Sequence, residues 1–166
     1  MAHVKVVRRS MRPEEWTDLR FVWLQRGIYE DKFEITDLEI RDARQISEDQ
    51  YEYYSDEYRP LKKDDMYFTP DGTAFIRGHV QIPAHMKGKN IYFTLHTAAE
   101  MIVKINGKYV GGVDPNRERI LLNPYIDSDD LTIEIEAYNR SKPDDERNPA
   151  SLAHRGCRQI FEGAYL

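Results

Sequence analysis

Asn106-Gly107 stands between two runs that alternate apolar and polar residues, Met101 to Ile105 and Lys108 to Val113. A two-residue loop of the hairpin kind wants positive φ at both central positions, which asparagine tolerates and glycine adopts freely, so the pair predicts a β-hairpin. A hairpin commits its neighbourhood to antiparallel pairing, and the flanking segments agree with it. Leu131, Ile133, Ile135 and Ala137 alternate with Thr132, Glu134, Glu136 and Tyr138, and Ile91, Phe93 and Leu95 alternate with Tyr92, Thr94 and His96. A period of two sends one set to a core and the other to water. Residues 74–82 read as a strand between a Pro70-Asp71-Gly72 turn and Pro83, Lys87 to Asn90 form another turn, and Ile120 to Leu122 a further short strand. Gly111-Gly112 marks a bulge or tight bend. From residue 66 onward the pattern predicts a mainly β domain, an antiparallel two-sheet sandwich over 66–166.

Residues 1–65 read differently. Pro13-Glu14-Glu15 resembles a first helical turn, with acids near the positive end of the dipole. Trp16, Leu19 and Trp23 then recur at roughly helical spacing until Gly27, which predicts a helix over 13–26. Its stripe serves docking on a neighbouring surface, and the two tryptophans also suit an interface. Residues 30–65 hold 13 acidic against 6 basic residues, a net of −7 in a chain of net −5. They carry Tyr51, Tyr53, Tyr54 and Tyr58 but few aliphatics and no sustained period, so they read as an acidic, tyrosine-rich arm packed on the sandwich. At 166 residues the chain has room for one core with such an arm.

Several function classes fall away on residue types. No stretch reaches the roughly 20 apolar residues of a membrane span, and residues 1–12 lack the apolar run of a secretory signal. With one cysteine, Cys157, the chain builds no internal disulfide, and the expected compartment is the reducing cytoplasm. The negative balance argues against nucleic acid as partner, since phosphate binding wants a basic face. His3, His79, His85, His96 and His154 form no closely spaced pair, so no metal site is expected in this chain. No Gly-x-Ser-x-Gly elbow or Walker loop occurs, and no catalytic residue is assigned.

The richest polar group follows the hairpin. Asp114, Asn116 and Arg117 sit on a loop before the strand at Ile120, and a carboxylate, an amide and a guanidinium together can hydrogen-bond the vicinal hydroxyls of a sugar. They are the candidate substrate-binding residues. The plainer reading of Asp114-Pro115-Asn116 is a polar turn in which Asp and Asn cap backbone amides.

The phrase Val103-Lys104-Ile105-Asn106-Gly107-Lys108, then Gly111 or Gly112, then Val113-Asp114-x-Asn116, resembles the accessory β-sandwich that precedes the catalytic domain of bacterial α-mannosidases of glycoside hydrolase family 38. It is more distantly similar to the sugar-binding jelly rolls of β-galactosidase-type enzymes. The likeness covers roughly residues 74–140 and is weak over 1–65. It implies a galactose-binding-like jelly roll that performs no hydrolysis itself. Its partner would be a catalytic domain of the same polypeptide, where a His-x-Asp motif binds zinc and an aspartate is the nucleophile. That motif does not occur here, and Arg117 stands where the family often has histidine. Asp114 and Asn116 carry over as contacts to a mannose-containing glycan or to the catalytic domain.

Two other readings stay open. An independent carbohydrate-binding module would stack sugar on an exposed aromatic such as Tyr109, Tyr125 or Tyr138, whereas an interaction scaffold would bind none. Oligomeric state is left open.

Overall fold

The structure is a computed structural model that describes residues 31–67, 72–96, 99–114, 117–138 and 159–166. The helix expected over 13–26, with Trp16 and Trp23, lies outside the described residues, as do Pro70 and Asp71, Asn116, and Cys157. Residues 33–166 form one compact unit.

Among the described residues twelve strands follow one another: β1 (Leu38–Ser47), β2 (Gln50–Tyr53), β3 (Arg59–Pro60), β4 (Met66–Tyr67), β5 (Thr73–Gln81), β6 (Tyr92–His96), β7 (Glu100–Ile105), β8 (Lys108–Val113), β9 (Arg119–Leu121), β10 (Asp130–Tyr138), β11 (Gln159–Ile160) and β12 (Gly163–Tyr165). A 3₁₀ turn, Ala84–Met86, follows β5 at Pro83. Every pairing is antiparallel. The large sheet runs β2-β1-β5-β10-β7-β8, with β3 also on β1; a three-stranded sheet runs β12-β6-β9, and β11 pairs with β4. Among the described residues no helix is long and apolar enough to cross a membrane.

One buried cluster draws on both sheets: Ile40, Ile76, Val103 and Ile133 from the large one, Phe93, Leu95, Ile120 and Ala164 from the small one. The alternation at 131–137 and at 91–95 is realised, with each of those apolar side chains buried. Removing an Ile, Leu or Phe side chain from water stabilises by about 1.5–3 kcal/mol, so this shared interior holds the sheets to each other.

The hairpin forms as its sequence demands, with Asn106 at φ 50° and Gly107 at φ 73°. Asn106 does more than turn. Its Oδ1 accepts the backbone N–H of Thr132 at 2.8 Å and its Nδ2 donates to the Asp130 carbonyl at 3.3 Å, pinning the hairpin tip to β10. On β8 the register slips so that Val103 faces Gly111 and Lys104 faces Tyr109. Val110 is the extra residue of the resulting bulge, and its side chain is buried.

The acidic segment departs from the expectation of an irregular arm. Its first half supplies β1, which pairs with β5 over six residues and lies second from the sheet edge. Leu38, Ile40 and Ala43 are buried in it. The compact unit accordingly begins at Phe33 and not near residue 65. The physical reason is register: β1 needs only Leu38 and Ile40 to point inward opposite Gly78 and Ile76, and Glu39 and Arg41 then fall on the outer face.

Candidate functional site

Asp114 and Arg117 are brought together at the end of β8. Their backbones exchange two hydrogen bonds, Asp114 N to Arg117 O at 3.1 Å and Arg117 N to Asp114 O at 2.9 Å. The Asp114 carboxylate closes the same four residues. Oδ1 accepts the Arg117 backbone N–H at 3.0 Å, and Oδ2 accepts from Arg117 Nε and Nη2, each at 3.0 Å. An aspartate that bonds a backbone amide three residues on is a turn clamp. The Arg117 side chain is 82% exposed whereas that of Asp114 is 21% exposed. The turn carries the chain from β8 of the large sheet to β9 of the small one. Of the three residues singled out from the sequence, two form this clamp and Asn116 lies outside the described residues.

The aromatic candidates separate. Tyr109, 67% exposed, and Tyr138 lie on the outer face of the large sheet, Tyr109 opposite Lys104 and Tyr138 opposite Glu100. Tyr125 belongs to the connection before β10, where its N–H bonds the Leu122 carbonyl.

That outer face carries a larger polar and aromatic group, which joins tyrosines expected on the packed acidic arm to the face of the 131–138 strand expected to meet water. Tyr51 packs edge-on against Phe75 at 4.9 Å between ring centres, and Tyr53 leans on the same ring at 5.6 Å. The Arg41 guanidinium lies 3.6 Å from the Tyr53 ring centre and 4.8 Å from that of Tyr58, while Arg77 covers Tyr58 at 4.0 Å. Arg41 Nε is buried with no hydrogen-bond partner among the described residues. The Tyr51 hydroxyl donates to Glu136 at 2.5 Å. That bond to a carboxylate, reinforced by burial, pushes the phenol up to about 12.

Elsewhere charges are matched in pairs. Lys108 donates to Asp127 at 2.9 Å and holds that carboxyl below its usual value. His79 bonds Asp130 and Lys87 bonds Asp129, beside a groove of about 540 Å³ with Phe33, Ile35, Val80, Ile82 and Pro83 in its walls. Among the described residues no group of three or more His, Cys, Asp or Glu converges as metal ligands. No protein-family model matches the chain, and no curated protein matches it significantly.

Proposed function

We propose that the chain is a noncatalytic jelly-roll domain of the galactose-binding-like type that supports an α-mannosidase of glycoside hydrolase family 38. The zinc-bearing catalytic domain would belong to the same polypeptide, and mannose-containing glycans would be the substrate. The observation that carries this reading is the unity of the segment on which the resemblance rests. Residues 101–114 with Arg117 make one continuous device: a hairpin set by Asn106-Gly107, a bulge at Val110, and an aspartate-clamped turn between the two sheets. Within the phrase Val-Lys-Ile-Asn-Gly-Lys, Val103 and Ile105 are buried and Asn106 and Gly107 take the positive φ of the turn. In this reading the Asp114–Arg117 turn shapes a surface toward the catalytic domain, and the exposed guanidinium is the group it presents.

The test mixes the purified 166-residue chain with a family 38 catalytic fragment that lacks its amino-terminal domain. The expected result is co-elution and a gain in hydrolysis of an aryl α-mannoside, with no hydrolysis by the chain alone. Sustained cleavage by the pure chain, or no association and no gain, would overturn the reading.

A further inference from the structure

The open face of the large sheet points to a ligand site separate from the Asp114 turn. Cross-strand register sets Glu39, Arg77, Glu134, Lys104 and Tyr109 side by side on β1, β5, β10, β7 and β8. The next row is Arg41, Phe75, Glu136, Ile102 and Gly112. Between them lies a cavity of about 340 Å³ whose lining includes Tyr58, Arg77, Ile102, Lys104, Tyr109 and Glu134, a size at the lower end of the roughly 300–1,000 Å³ usual for small-molecule sites.

Three features decide what would fit. The Glu134 side chain stands between two cations yet makes no hydrogen bond or ion pair among the described residues, because both cations are turned elsewhere. Arg77 engages Glu39 at 2.7 Å and the Tyr58 ring, and Lys104 lies over the Tyr109 ring at 4.6 Å. Charges on the two rows alternate and cancel, with Arg41, Arg77 and Lys104 against Glu39, Glu134 and Glu136. Such a surface favours neither an anion nor a cation, but it matches a neutral molecule whose adjacent groups each donate and accept hydrogen bonds. Finally, Tyr109 is exposed, and Ile102 is 51% exposed opposite Gly112, which has no side chain to cover it. The site therefore offers an apolar surface next to its polar groups.

We infer that this face binds a pyranoside. The C–H face of the sugar lies on Tyr109 and Ile102, Glu134 accepts from one hydroxyl, and Lys104 and Arg77 donate to its neighbours. The inference goes beyond the mannosidase reading, because it concerns a site that works without a catalytic partner.

The experiment titrates the full chain, labelled with ¹⁵N, with methyl α-mannopyranoside, methyl β-galactopyranoside and methyl β-glucopyranoside in turn, following amide shifts. At least one sugar should give saturable shifts in the millimolar range, centred on β7, β8 and β10. Tyr109→Ala and Glu134→Gln should each weaken binding by at least about tenfold. Tyr54→Ala, at another exposed tyrosine that lies outside the cavity, should not change it. Amide spectra of the variants confirm their folding, and Glu134→Gln, nearly isosteric, keeps the test sharp if Tyr109→Ala is unstable. No saturable shift at about 100 mM of any of the three sugars, shifts confined to the Asp114 turn, or undiminished binding by folded Glu134→Gln would overturn the assignment. Each of these outcomes is read without the catalytic fragment, so it is independent of the co-elution result.

Discussion

Replacing Asp114 by alanine separates a turn clamp from a ligand contact. The carboxylate makes two kinds of bond, and they have different worth. Its bond to the Arg117 backbone N–H, at 3.0 Å, satisfies a turn amide, and such a bond contributes about 1 kcal/mol. The pair with the Arg117 guanidinium involves a side chain that is 82% exposed, so solvent and salt hold its contribution to roughly 0.2–1 kcal/mol. Asp114→Ala should therefore lower unfolding stability by about 1–2 kcal/mol, a loss a domain stable by roughly 5–15 kcal/mol survives. Asp114→Asn keeps an oxygen for the backbone N–H and loses only the charge, so it should cost about 0.5 kcal/mol, as should Arg117→Ala. Urea denaturation followed by far-ultraviolet circular dichroism measures all three. Repeating it at about 1 M salt should shrink the Arg117→Ala cost and leave most of the Asp114→Ala cost in place. If Asp114→Ala unfolds at the wild-type midpoint yet abolishes association with the catalytic fragment, the clamp argument fails and the carboxylate is a contact residue.

Two further predictions rest on single contacts. Tyr51 has a folded-state value near 12 against 10.0 for a free phenol. The neutral, donating form is thus favoured by folding, and the contribution is complete below pH 10 and lost as pH rises through 12. For a half-exposed pair it amounts to about 1 kcal/mol after solvent screening, so the stability difference between wild type and Tyr51→Phe should vanish across that window; a constant difference would refute it. Gly78→Ala should destabilise by about 3 kcal/mol or more. A Cβ there would stand 2.4 Å from both the Asp37 carbonyl oxygen and Leu38 Cδ2. Adding Leu38→Ala should relieve only the side-chain half of that clash. Thermal denaturation reads both variants, and a Gly78→Ala protein as stable as wild type would show that β1 does not sit against β5 as closely as described.

What could be read from the sequence was what depends on neighbours along the chain. Asn106-Gly107 specifies its own turn, and the alternation from Leu131 to Ala137 specifies its own face. Both survive in the structure because each strand buries one side. β1 escaped for an equally local reason. After Leu38 and Ile40 its inward position is Asp42, its next buried residue is the small Ala43, and its turn places Asp49 at φ 59° with no glycine to announce it. An alternating strand with two aliphatics and a carboxylate turn resembles an acidic connector when read one residue at a time.

The outer-face site was illegible for a different reason, since no segment contains it. Glu39, Arg77, Glu134 and Lys104 become neighbours only through the order β1-β5-β10-β7, and the Tyr51–Glu136 bond spans 85 residues of chain. The same order changes the meaning of the acidic tract. Glu39 pairs with Arg77 of β5, so part of the local negative excess is the counter-charge of a sheet face and not a solvating tail. A tract that looks strongly acidic along the sequence thereby contributes to a surface whose two facing rows balance. Balance leaves Glu134 unclaimed between two cations, and that is why a neutral, hydroxyl-rich ligand suits this face better than an ion.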